Sequence, residues 1–226
     1  MSKKGIRLCK RKNWRNQMYK VNFFLLLMII FILNFLDGNH LYAAEPTEVV
    51  KRILDRVMEI QTDPELKKFR NKRRLAIKKI IQENFDATLM AKNALGSYWN
   101  KISKKQKIEF TKLFEDLFQE SYTKMVLDFL KKEKIKYEGE EKKGDEVIVK
   151  TRIMKIEDEI PVYYHLRKIG NKWLIFDVDI DEVSIVGNYR RAFSRIIRIA
   201  SFNALMKKMR LQQEAIKKAY AEESAG

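Results

Sequence analysis

The residues whose types could carry chemistry sit close together late in the chain: His165, the spaced aspartates Asp177, Asp179 and Asp181, and Ser184. The D-x-D-x-D spacing suggests a calcium loop, which needs glycine at its sixth position and a bidentate glutamate at its twelfth. Those positions hold Glu182 and Asn188. Alternation along a half-buried strand accounts for the aspartates more simply. A serine, histidine and aspartate relay can be written from Ser184, His165 and Asp177, yet no nucleophile-elbow motif surrounds the serine, and any chain of this size offers such trios. His165 is the one histidine after residue 44 and the sole cysteine is Cys9, so residues 45–226 supply no zinc-type ligand set, no thiol nucleophile and no disulfide. No glycine-rich phosphate loop occurs either. These exclusions point away from an enzyme and from any cofactor or metal, and leave a surplus of apolar and aromatic residues to be explained.

The elements that must position that surplus can be read from periodicity. Val49, Val50, Ile53, Leu54, Val57 and Ile60 fall at helical spacing between Pro46 and Asp63-Pro64. Leu75, Ile77, Ile80 and Ile81 continue the pattern opposite a basic face of Lys67, Lys68, Arg70, Lys72, Arg73, Arg74, Lys78 and Lys79. That face is either a solvated surface or a docking surface for a membrane or partner. Residues 85–100 read as a helix stopped by Gly96, with Tyr98 and Trp99 in the turn beyond. Ser103 and Gln106 satisfy a capping box for a long helix over about residues 104–130. Its apolar positions, from Phe110 through Phe114, Phe118 and Tyr122 to Phe129, cover more than half of its circumference. So wide a stripe needs more than one apolar neighbour, the second being another helix or a bound hydrophobic ligand.

From residue 134 the period changes from 3.6 to 2, predicting four strands at 135–139, 146–155, 160–169 and 173–180. Their short connections make neighbours antiparallel. One face gathers Val147, Val149, Ile153, Val162, Tyr164, Leu166, Leu174, Phe176, Val178 and Ile180, and the other carries Lys150, Arg152, Tyr163, His165, Arg167, Asp177 and Asp179. Helix returns from about Asn188 with Tyr189, Phe193, Ile196 and Ile197 on one stripe. Ser201 caps a last helix, expected to fray beyond Ile216. The expected class is α+β: a four-stranded antiparallel sheet, helices covering one face, and an apolar cavity between them.

Residues 1–44 pair a basic leader with the apolar run Val21 to Leu36 and Ala43-Ala44, the three-part pattern of an export signal. At 16 residues the run also leaves open an uncleaved inner-membrane anchor. Residues 45–226 are then a single extracytoplasmic domain with a surplus of about +10 charges. In that compartment the surplus suggests an anionic membrane surface or an acidic partner protein, not nucleic acid.

Two segments resemble the MlaC family of periplasmic phospholipid-shuttle proteins, also called toluene-tolerance auxiliary proteins. Phe85, Ala91, Leu95-Gly96, Tyr98-Trp99, Ser103, Gln106, Phe110, Phe114 and Tyr122 are similar to the family's LG-x-YW turn and following helix. Trp173, Asp177-Val178, Val183-Ser184 and Asn188-Tyr189-Arg190 are similar to its W-x-x-x-D-V strand and V-S-x-x-x-N-Y-R segment. One departure is Glu182, where the family usually has glycine; if that glycine serves a positive-φ turn, this chain must strain or re-route it. The resemblance implies a monomeric periplasmic carrier that holds the acyl chains of a phospholipid between sheet and helices. It implies delivery between an outer-membrane lipoprotein complex and an inner-membrane ABC transporter. Candidate lining residues are Phe85, Leu89, Leu95, Tyr98, Trp99, Phe114, Phe118, Val149, Tyr164, Phe176, Val178, Val183, Ile185, Tyr189, Phe193 and Ile197. The other reading is a membrane-tethered adaptor that binds a partner protein through its basic helical face, carries no lipid and has a fully packed core.

Overall fold

The structure, a computed structural model, describes residues 45–225. The export signal read over residues 1–44 lies outside the described residues. Helix α1 (Pro46–Thr62) starts on a proline at its first position and turns Val50, Leu54 and Val57 inward at intervals of three and four. Asp63 ends it and caps α2 (Pro64–Lys68) by accepting from the amides of Glu65 and Leu66. Helix α3 (Arg70–Asn84) buries Ile77, Ile80 and Ile81, while Leu75, read as part of the same stripe, is exposed.

Asp86 caps α4 (Ala87–Leu95) and holds it to the sheet: its carboxylate accepts from the Leu89 amide and from the Arg167 guanidinium at 2.9 Å, and its own amide donates to the Ile175 carbonyl. Gly96, at φ +56°, stops that helix, and residues Gly96–Lys101 form a 3-10 turn. The capping box of Ser103 and Gln106 opens α5 (Lys104–Phe129).

The sheet runs in chain order, every neighbouring pair antiparallel: β1 (Lys134–Lys143), β2 (Glu146–Met154), β3 (Glu159–Ile169), β4 (Lys172–Ile180) and β5 (Val183–Ser184). It therefore has five strands and not four. The fifth is only two residues long, too short to show a period, and it pairs back on β4 through the turn Asp181-Glu182. Both turn residues have positive φ, +49° and +64°, the hand that a two-residue hairpin requires. Glu182 thus adopts the left-handed conformation itself, as a glycine would.

Three other expectations are corrected. A bulge where β3 meets β4 sets Leu166 opposite Ile175, so Ile175 is fully buried and Leu174, assigned to the core face by strict alternation, is only half-buried. Helix α6 (Ile185–Ile199) begins three residues earlier than read, because Ser184 caps it: the hydroxyl accepts from the Gly187 amide at 2.8 Å and donates to Asp177 at 2.6 Å. A Cβ on Gly187 would lie 2.9 Å from that hydroxyl, so the cap needs glycine there. Helix α7 (Phe202–Ala225) does not end at Ile216. Tyr220 lies under the Arg74 guanidinium, 3.8 Å from the ring centroid, and fixes the last turns to α3.

Candidate functional site

The bulk of the core lies between the sheet and the helices, and within it is a cavity of about 90 Å³. Ile53, Leu54 and Val57 of α1, Ile77, Ile80 and Ile81 of α3, and Phe118, Tyr122, Met125, Val126, Phe129 and Leu130 at the C-terminal half of α5 form its helical wall. Ile153, Val162, Tyr164, Ile175, Val178 and Ile180 form the sheet wall, with Phe85 and Ile185 where helices meet strands. The width of the α5 stripe is thereby explained: one part faces the sheet across this cavity and the rest packs on helices. Only Tyr122 and Tyr164 bring a polar side-chain atom to the lining. Burial pushes both phenols well above the ordinary tyrosine range, so both stay neutral, and Thr151 hydrogen-bonds Tyr164.

The candidate lining residues divide into distinct places. Phe85, Phe118, Tyr164, Val178 and Ile185 stand on the cavity wall. Phe114, Tyr189 and Phe193 form an aromatic cluster beside it, joined to the wall by Phe114 and Phe118 with centroids 6.0 Å apart. Leu95, Val149 and Phe176 are buried in the core away from the cavity. Leu89, Tyr98, Trp99 and Ile197 are half-buried against that core, and Val183 is exposed on β5. Sequence reasoning missed the α1 and α3 residues of the wall. Their helical spacing was visible, but periodicity gives the buried face of a helix and not what that face looks onto.

The polar residues near α6 do structural work. Asp177 accepts from Ser184 and from the Val186 amide, completing the N-terminal cap, while His165 pairs with Asp179 at 2.9 Å. Ser184 and His165 thus bind different aspartates, and no relay between them is assembled. Among the described residues no group of three His, Cys, Asp or Glu side chains converges as a metal site would.

An antiparallel sheet closing a hydrocarbon-lined space against helices defines a class of domain built to enclose an apolar ligand. A family model described as MlaC protein matches residues 51–211, and the chain belongs to the MlaC family. MlaC proteins are periplasmic lipid-binding transport proteins and not a known enzyme family. A solved structure similar in fold is the phospholipid-binding protein from Ralstonia solanacearum in complex with a phospholipid. The TM-score is 0.66 at 18% identity, over 77% of this chain and 99% of that chain. No curated protein matches this chain. No described helix is long and apolar enough to cross a membrane.

Proposed function

We propose that this chain is a periplasmic phospholipid carrier, the shuttle of a lipid-transport pathway that links an outer-membrane lipoprotein complex to an inner-membrane ABC transporter. The observation that carries this reading is the cavity between α1, α3, α5 and the sheet, walled by hydrocarbon apart from two neutral phenols. Family membership and the phospholipid-bound relative of the same fold support it.

Size and energy then constrain the mechanism. Two acyl chains of roughly 30 methylenes fill on the order of 900 Å³, if each methylene takes about the room of a liquid water molecule. The cavity holds about 90 Å³, so loading requires its walls to part. Burying those methylenes is worth about 24 kcal/mol against water, at roughly 0.8 kcal/mol each. That exceeds the ceiling of about 18–21 kcal/mol on measured affinities. Lipid therefore passes by exchange between two apolar environments of similar free energy, with docking to a membrane complex opening the route.

Val178→Glu tests this reading. A carboxyl on the sheet wall should abolish lipid retention, measured by extraction of the purified protein, while the fold persists by circular dichroism. Phe193→Glu, in the neighbouring aromatic cluster, should retain more. Undiminished lipid in Val178→Glu would refute the cavity as the binding site.

The smallness of the cavity favours a second reading, the tethered adaptor with a packed core. It requires an intact amino terminus in membrane fractions, which sequencing of the native protein decides.

A further inference from the structure

The basic face read in the sequence does not spread evenly into solvent. Two of its residues, Lys67 and Arg73, line a cleft of about 1190 Å³ beside the end of α5, together with Lys131, Lys132, Lys134 and Lys155, which were not part of that face. Three acidic residues share the cleft: Glu133, which is committed to Lys155, and Glu157 and Asp158 on the far lip. Among the described residues no ion pair engages Lys67, Arg73, Lys131, Lys132 or Lys134, and the Arg73 Nε is buried with no hydrogen-bond partner. A buried guanidinium N–H left unmade is costly, and the ligand that repays it is an oxyanion.

The position of the cleft identifies that oxyanion. Leu130 and Val126 line the apolar cavity, whereas Leu127 and Lys131, on the same turns, line the cleft. The Gln61 amide, which lines the cleft, donates to the carbonyls of Val126, Leu127 and Leu130 and so ties the last turn of α5 to α1. Release of that amide would join a hydrocarbon-walled space to a cationic one, the polarity sequence of a lipid's tails and phosphate.

We propose that the cleft is the phosphate site of the carried lipid: Arg73, with Lys131 and Lys67 beside it, takes the phosphodiester, and Gln61 is the latch between headgroup and tails. This rests on the carrier reading and adds that the protein holds the headgroup's phosphate as well as the tails. The shared chemistry is a phosphate group, and the lipid is its source.

The test loads the domain from vesicles of a phosphatidylglycerol that contain a minority of a diacylglycerol with identical tails, and native mass spectrometry reads the lipid taken up. The wild type should prefer the phospholipid by about tenfold or more over its share in the vesicle. Arg73→Gln combined with Lys131→Gln should bring that preference close to parity with total loading retained, and Arg73→Lys should restore part of it. An unchanged preference in the double variant overturns the proposal. So does loss of vesicle association alone with the preference intact, which would make the cleft a membrane dock. Millimolar inorganic phosphate, without lipid, should leave the Arg73 Nε resonance unmoved; a shift as large as the lipid causes would make this a free-anion site. If the wild type loads neither lipid, the carrier reading itself fails, a result distinct from loading without preference.

Discussion

Phe118→Ala separates a lipid cavity from an ordinary core. The Phe118 ring is 1% exposed and contacts Tyr122, Phe85 and Phe114 at centroid distances of 4.6, 5.5 and 6.0 Å. Truncation of such a residue costs about 3–5 kcal/mol. Roughly 100 Å³ of new void, at about 24 cal/mol per Å³, accounts for ~2.4 kcal/mol of that cost. Because Phe118 stands on the cavity wall, the new void opens into the existing space, which is about 90 Å³. An acyl chain lying there can fill both. The loss measured by urea unfolding should therefore be full in delipidated protein and smaller by about 1–2 kcal/mol in lipid-loaded protein, the difference being the recovered void term. Equal losses in the two states would refute the placement of acyl chains against Phe118.

Gln61→Leu removes the donor to three carbonyls at the end of α5 and should cost about 1–2 kcal/mol in urea unfolding. Hydrogen exchange at the Leu130 amide, bonded to Val126, should accelerate about tenfold; unaltered exchange would count against the latch. Glu182→Gly relieves a residue at φ +64° and should raise stability by about 0.5–1 kcal/mol, net of the extra freedom of the unfolded chain. The thermal midpoint should rise by about 1–4 °C, and a fall would show that the side chain has an undetected partner. Burial alone would raise the carboxyl of Glu133, but the amides of Lys131 and Lys132 and the Lys155 ammonium outweigh it and bring it down to about 2, below its ordinary 4.5. Its contribution is thus complete above about pH 5 and is lost as pH falls from there towards 2. Glu133→Gln should flatten the acid limb of urea midpoints plotted against pH, and an unchanged limb would assign it to other carboxylates, such as Glu120 with its Lys78 and Arg74 partners.

Elements set by local chemistry were legible in the sequence. The capping box at Ser103 and Gln106, the stop at Gly96 and the change of period near residue 134 each specify an element from neighbouring residues, and each is present. Features set by tertiary context were not. The bulge that buries Ile175 in place of Leu174 arises from the register between two strands, which alternation along one strand does not contain. The continuation of α7 past Ile216 depends on Tyr220 meeting Arg74, a residue far away in sequence. The site divides in the same way. The aromatic surplus of α5 was visible as a stripe too wide for one neighbour. That its far half, from Phe118 to Leu130, faces the cavity, while Phe110 and Phe114 pack with Phe193, depends on where α6 lies.

Native mass spectrometry of the protein, purified from bacteria in mild buffer, measures lipid carriage most directly. A phospholipid carrier should appear chiefly as a one-to-one complex with phospholipid, released as free protein when collision energy is raised. Protein that carries no lipid under the gentlest conditions would contradict the carrier function and leave the cavity as a void in a packed core.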